Sequence, residues 1–313
     1  MTKLVTVFGG SGFLGRYVVP ALLKQGSRVR VAARTASGSW HLQTQGGLGQ
    51  TQFVAADIRR GASVAHALDG ADAVVNLVGI LDGDFEAVQL DGARIVAEAA
   101  ARQGVGALVH VSAIGADPAS ASRYGQSKGA GEVAVLSAFP GATVLRPSIV
   151  FGREDQFINR FAALICALPI VPIIRGETRF QPVYVGDVAA AVAQAVADPL
   201  RHGGKTYELG GPQRMTMARI NHWIAENTGR APRFAAMPDW MAAAMAKGLG
   251  WMPGAPMTQD QWLMLQSDNV VTGVDGLAAM GIEPTPLDAV ADDWLVRYRR
   301  NGRFAAEPAG KGL

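Results

Sequence analysis

Two rhythms of apolar and polar positions alternate through the first half of the chain. Short apolar runs (KLVTVF, RVRVAAR, QFVAAD, AVVNLVG and ALVHVSA) are separated by stretches with helical spacing, GRYVVPALLKQG, ASVAHALDG and LDGARIVAEAARQG. Nearly continuous apolar strands divided by helices predict a parallel sheet with both faces covered, because each strand must then be buried on two sides. Gly26, Gly70 and Gly104 fall just past the helical stretches, where a left-handed C-terminal cap is expected. Pro20 lies inside the first helix and predicts a kink. The expected fold class is α/β, a doubly wound parallel sheet with a smaller C-terminal lobe. Residues 1–150 form the main domain, the chain returns to it at about 180–205 with PVYVGDVAAAVAQAV, and 151–313 supply the lobe.

The last hundred residues follow a different pattern. Residues 237–265 carry Trp240, Met241, Met245, Leu249, Trp251 and Met252, and the segment PDWMAAAMAKGLGWMPGAPM has only Asp239 and Lys247 as charges. Asp239 after Pro238 suits a helix start, and Gly248, Gly250 and Pro253 should end it. So apolar a helix predicts either a lid over a hydrophobic small molecule or a surface for a partner protein or a membrane interface.

Composition narrows the classes further. Apolar residues make up 49% and charged residues 18%, which excludes a disordered chain. The net charge is +3 with no Lys/Arg run, so nucleic acid is not an expected partner. Cys166 is the single cysteine, set in LICALP, and reads as a buried, inert thiol in a reducing compartment. The apolar run FAALICALPIVPII is about 14 residues long and holds two prolines, short of the roughly 20 that a membrane helix needs. A strand starting at Leu4 leaves no room for a leader peptide. The expected location is cytoplasmic, soluble or peripheral to a membrane. The histidines have no metal-like spacing, and no metal is expected.

GGSGFLG follows the first strand and opens a helix, placing Gly9, Gly12 and Gly15 three apart with Phe13 and Leu14 between the last two. In a Rossmann fold the first glycine permits the turn, the second lets backbone approach a pyrophosphate, and the third lets helix and strand pack closely. A plain turn is the alternative reading, and the strand before with the helix after favours nucleotide binding. The second strand ends VAAR, so Ala33 and Arg34 stand where an NAD enzyme has a carboxylate for the ribose hydroxyls. Arg16 sits in the first helical turn, against the helix dipole. These two guanidiniums suit the 2′-phosphate of NADP(H). Asp57 and Ile58 end the third strand and are expected near the adenine; Leu77, Val78 and Gly79, in NLVG, are expected near the ribose.

In YGQSK, Tyr124 and Lys128 are four apart and share one helix face. A phenol ordinarily titrates near 10, and a neighbouring ammonium together with the charge of an oxidised nicotinamide can lower it enough for acid–base work. Ser112, after the fifth strand, could hold a substrate oxygen. GQSKG also matches a serine-hydrolase elbow, but Ser127 falls inside the helix and not on a strand-to-helix turn.

Taken together, GGSGFLG, NLVGIL, YGQSK, LRPSIVFG, EDQFINRF and RFQPVYVGDVA resemble the atypical extended, epimerase/dehydratase-like short-chain dehydrogenase/reductases. Among these the chain looks most like the NADPH-binding accessory subunits of respiratory complex I and their bacterial relatives. The resemblance implies a tightly held, structural NADPH beside the membrane. It puts Gly9, Gly12, Gly15, Arg16 and Arg34 on the cofactor, Tyr124 and Lys128 on the nicotinamide side, and Pro147 and Ser148 near it. The superfamily's active serine often lies where this chain has Ala113 and Ile114, which weakens Ser112 as a third catalytic member. An active NADPH-dependent oxidoreductase or epimerase on a hydrophobic carbonyl substrate, and a redox-sensing regulator, are the alternatives.

Overall fold

The computed structural model describes residues 2–35, 42–252, 255, 257–300 and 302; Pro253 and His41 lie outside these. Strands β1 (Leu4–Phe8), β2 (Arg28–Ala33), β3 (Thr51–Ala55), β4 (Ala73–Asn76), β5 (Ala107–Val111), β6 (Thr143–Pro147) and β7 (Thr206–Leu209) form one parallel sheet. Their order is β7-β6-β5-β4-β1-β2-β3. Winding therefore reverses between β1 and β4, and at such a point the C-terminal strand ends diverge into a crevice. Helices α1 (Gly15–Lys24) and α5 (Val185–Ala197) pack together, and α2 (Gly61–Leu68), α3 (Gly92–Arg102) and α4 (Arg123–Ala138) pack in succession. Val64, Ala67, Val96, Ala97, Ala100 and Val135 from α2, α3 and α4 bury against Phe8, Ala32, Val74 and Leu108 of the sheet. The central strands β1, β4 and β5 are almost wholly buried because helices cover both faces, while β2, β3 and β7 carry Arg28, Gln52 and Glu208 at less enclosed positions. Helix α1 continues through Pro20 to Lys24. Gly26, Gly70 and Gly104 take positive φ after their helices.

Two compact units divide the chain. The first holds the chain up to Pro147, Val185–Leu209 and Val271–Glu283; the second holds Ser148–Tyr184, Gly210–Val270 and the chain from Pro284. Sequence pattern points to a single return to the sheet unit, whereas the packing adds a second, Val271–Glu283, whose short helix Gly276–Met280 packs on β7.

In the second unit, Ile170–Ile174 pairs in parallel with Arg233–Met237. Phe151, Ile158, Ile165, Trp223, Ile224 and Trp294 build its core. Trp223 Nε1 donates to Asp288 Oδ1 at 2.7 Å, so the indole is buried with its polar edge satisfied. Cys166 is half-buried, less enclosed than its apolar neighbours suggest, and its Sγ donates to the Tyr298 carbonyl at 3.3 Å. Helix Asp239–Leu249 buries Ala242 and Ala246 with Met257 and Trp262, but its other side is apolar as well. Trp240 and Trp251 are 73% and 79% exposed, and Met241, Leu249 and Met252 are exposed beside them. Of the two sequence expectations for this segment, a covering lid or an open patch, the helix presents the open patch. Among the described residues no helix is long and apolar enough to cross a membrane.

Asn76 at the end of β4 lies opposite His110 in β5, with Asn76 Nδ2 3.3 Å from His110 Nδ1. His110 is fully enclosed and its Nε2 has no partner. Burial, with the Lys128 ammonium as a smaller cause, pushes the imidazole down to about 3. An unfolded chain takes up that proton near pH 6.5, so between about 6.5 and 3 the unfolded state binds more protons and stability is lost as pH falls. Denaturant titrations from pH 7 to 4 should show wild type losing up to about 1.4 kcal/mol per pH unit more than His110→Gln. Parallel pH profiles for the two proteins would show that His110 carries none of this linkage.

Candidate nucleotide site

Backbone geometry makes the first part of the site. Gly9 has φ +77° and its amide donates to Ala32 O at 3.3 Å; Gly12 N donates to Gly9 O at 3.0 Å. A Cβ on Gly15 would collide with the Gly10 carbonyl, so only glycine lets α1 start against this turn. A Cβ on Gly9 would lie 3.2 Å from the backbone of Leu77 and Val78, which brings the β4 loop against the glycine turn. That loop is held by Asn76, whose Oδ1 accepts from Val78 N at 3.1 Å. On Gly12 the same Cβ would meet only Gly9 O within 4 Å, and the residue is exposed. An open glycine at a helix N-terminus has the shape and partial charge that an anion needs. Phe13 packs edge-on against Tyr17, 6.1 Å between centroids, and Leu14 is the N-cap residue of α1.

Arg16 and Arg34 are both exposed, and within the described residues neither guanidinium has a hydrogen-bond or ion-pair partner. At the end of β3, Asp57 is already engaged: Arg59 donates to it from Nε and Nη2 and through its backbone amide. The Arg59 guanidinium holds that carboxyl down at about 2. Ile58 is buried and packs so closely on Gly92 that a Cβ there would lie 2.6 Å from Ile58 Cδ1. It anchors the loop from within the core.

Helix α4 positions the second part. Ser122 caps it by accepting from Gly125 N at 3.0 Å, which sets where Tyr124 and Lys128 fall. Lys128 is buried, and its Nζ donates to Val111 O at 3.2 Å. Burial pushes the ammonium down to about 8, partly offset by Glu132 one turn on. Glu132 is itself held by Arg146, with Nε to Oε1 at 2.9 Å. Tyr124 is half-buried and meets Phe85 edge-to-face at 6.2 Å. Its phenol is pushed up to about 12 by burial. The cause is loss of water around the phenolate, which the charges of Lys128 and of an oxidised nicotinamide would oppose. Ser127 donates to Tyr124 O at 3.0 Å within α4, a structural bond and not a nucleophile's.

Ser112 follows β5, its amide donating to Leu145 O at 2.7 Å, and its hydroxyl is buried without a partner. Pro147 ends β6 and its carbonyl accepts from Ile114 N at 3.0 Å. Ser148 opens the second unit, where its hydroxyl donates to Asn269 Oδ1 at 2.7 Å. The sheet thus brings together Gly9–Gly15, Leu77–Gly79 and Lys128, while the Ser148 hydroxyl is taken within the second unit. Sequence reasoning missed Gln89, which lies in a π-helical turn (Glu86–Asp91), donates to Ser127 Oγ at 2.9 Å and leaves its Oε1 buried and unpaired. No local pattern marks it; only the packing of α4 on that turn does.

Residues 5–210 match the NAD dependent epimerase/dehydratase family. The chain is 36% identical over 305 residues to mouse NADH dehydrogenase (ubiquinone) 1 alpha subcomplex subunit 9, mitochondrial, across 95% of this chain and 80% of that protein. It is 30% identical over 244 residues to the ceramide reductase of Caulobacter vibrioides, across 75% and 74% of the two chains. The NADP(H) complex of Citrobacter sp. triphenylmethane reductase matches it in fold with a TM-score of 0.76 at 20% identity, over 92% of this chain and 99% of that one. The chain belongs to the NAD dependent epimerase/dehydratase family, and its relatives there include both a respiratory-complex subunit and a reductase.

Proposed function

We propose that this protein binds NADP(H) tightly and that the nucleotide is a structural element of a subunit that joins a respiratory NADH dehydrogenase beside the membrane. The observation that carries this reading is the near full-length similarity to subunit 9 of the mouse enzyme. The pyrophosphate would lie on Gly9, Gly12 and Gly15 with Phe13, Leu14 and Arg16, the 2′-phosphate on Arg34 and Arg16, and the adenine beside Asp57 and Ile58. Leu77, Val78, Gly79, Tyr124, Lys128, Pro147 and Ser148 would serve the nicotinamide half. The open face of Gly12 and the two unpaired guanidiniums support this fit. A bound nicotinamide would supply hydride transfer, and its positive charge when oxidised would act against the burial that raises the Tyr124 phenol to about 12.

A second reading, an NADPH-dependent reductase of a hydrophobic carbonyl compound, is favoured by the similarity to a ceramide reductase. It would use Tyr124 as proton donor, Lys128 beside it and Ser112 on the substrate oxygen. Under either reading, residues 237–265 supply the contact with a complex or with the membrane interface, through the exposed Trp240, Met241 and Trp251.

Calorimetric titration should give roughly ten- to a hundredfold tighter binding of NADPH than NADH, and Arg34→Asp should abolish the difference. Equal affinities in wild type would remove the 2′-phosphate assignment. In cells, Tyr124→Phe should leave NADH:quinone activity of membranes unchanged, whereas Gly12→Asp, which blocks the phosphate approach, should lower it; a Tyr124→Phe defect as severe as that of Gly12→Asp would move the protein to the reductase reading. Replacing Trp240 and Met241 by serine should leave the thermal midpoint within a few degrees, since both side chains are exposed, while reducing cosedimentation with membranes. Lost stability with unchanged cosedimentation would make the segment ordinary core.

A further inference from the structure

Gln89 is 2% exposed. It sits in the π-helical turn Glu86–Asp91, and Gly131 of α4 packs on its main-chain oxygen so closely that no side chain fits between. Such turns insert one extra residue into a helix and so re-aim a side chain. The orientation of its amide is fixed by a neighbour. Ser127 gives its single hydroxyl proton to Tyr124 O, so it can only accept from Gln89, and the Gln89 nitrogen must face it. Oε1 therefore points away from Ser127, buried and without a hydrogen-bond partner.

What it points toward is marked by Gly79. A Cβ built there would lie 3.7 Å from Gln89 Oε1 and 3.2 Å from Lys128 Nζ. The ammonium bonds to Val111 O and not to the amide. A buried acceptor and a buried donor therefore flank one small space, unbonded to each other, and any residue larger than glycine would fill it. An unpaired carbonyl buried in this way is costly, so it calls for a hydroxyl or N–H from outside the chain. A vicinal diol answers both groups, one hydroxyl donating to Oε1 and the next accepting from Nζ.

Resting on the reading that the protein binds NADP(H), we infer that Gln89 is a cofactor-binding residue whose Oε1 accepts a hydrogen bond from the nicotinamide-side ribose, with Lys128 donating to the adjacent hydroxyl above Gly79. The amide thus recognises the half of the nucleotide that Arg16 and Arg34 do not reach.

Calorimetry on the full chain with two probes tests this: NADPH, and adenosine 2′,5′-bisphosphate, which keeps the adenine and the 2′-phosphate but has no nicotinamide ribose. Gln89→Met preserves length and volume. It should weaken NADPH roughly tenfold and leave the fragment's affinity unchanged. Gly79→Ala, which fills the space without touching the Gln89–Ser127 bond, should give the same selective loss, so the inference stays testable even where Gln89→Met does not fold. Unchanged NADPH affinity in both variants, or equal losses for NADPH and the fragment, would overturn it. Wild type binding neither probe would instead remove the NADP(H) reading, and this assignment with it.

Discussion

Gly15 lies against the Gly10 carbonyl so closely that one methyl group would collide with it, and the geometry of the site descends from that contact. It lets α1 begin directly above the C-terminal end of β1, at the point where the strand order reverses toward β4. Because the turn is that tight, Gly9 adopts positive φ and the Leu77–Val78 backbone can lie on it. Both loops then open on the same edge of the sheet, together with the Val111 carbonyl and Lys128. A larger residue at position 15 would move the helix, and with it the distance between the glycine turn and the β4 loop.

Around Lys128 the energetics of burial decide the chemistry. An ammonium removed from water is disfavoured, and here it is held by one carbonyl and by Glu132 one turn away, which Arg146 in turn fixes. The same enclosure raises Tyr124, whose neighbour Phe85 is an apolar ring and not a charge, and lowers His110. One desolvated corner thus moves three groups, each toward its neutral form.

Much of this was legible in the sequence. Strand and helix boundaries followed from near-continuous apolar runs and from glycines just beyond the helices, because those signals are local. The glycine turn was equally readable, since its spacing states the backbone geometry directly. Tyr124 and Lys128 fall on one helix face as their spacing requires, but the burial around them is not readable there, because Phe85 and Val111 reach them only through tertiary packing. Gln89 was invisible for the same reason: its π-helical turn has no compositional mark, and its free oxygen is defined by what Ser127 does with its proton. For Asp239–Leu249, composition showed an apolar helix, and only the fold showed that alanines cover the inner side while the tryptophans face out.

That inversion serves both readings of the family's chemistry. Trp240 on the helix and Trp251 just beyond it leave an apolar face open, while Asp239 is already paired with Arg175 at 2.6 Å. In the other unit, burial raises the Tyr124 phenol to about 12, and the charge of an oxidised nicotinamide would act against that rise. Retaining Tyr124 with Lys128 is still consistent with tight nucleotide binding, because a buried helix face that orients the ammonium beneath a ribose serves affinity whether or not a hydride ever moves.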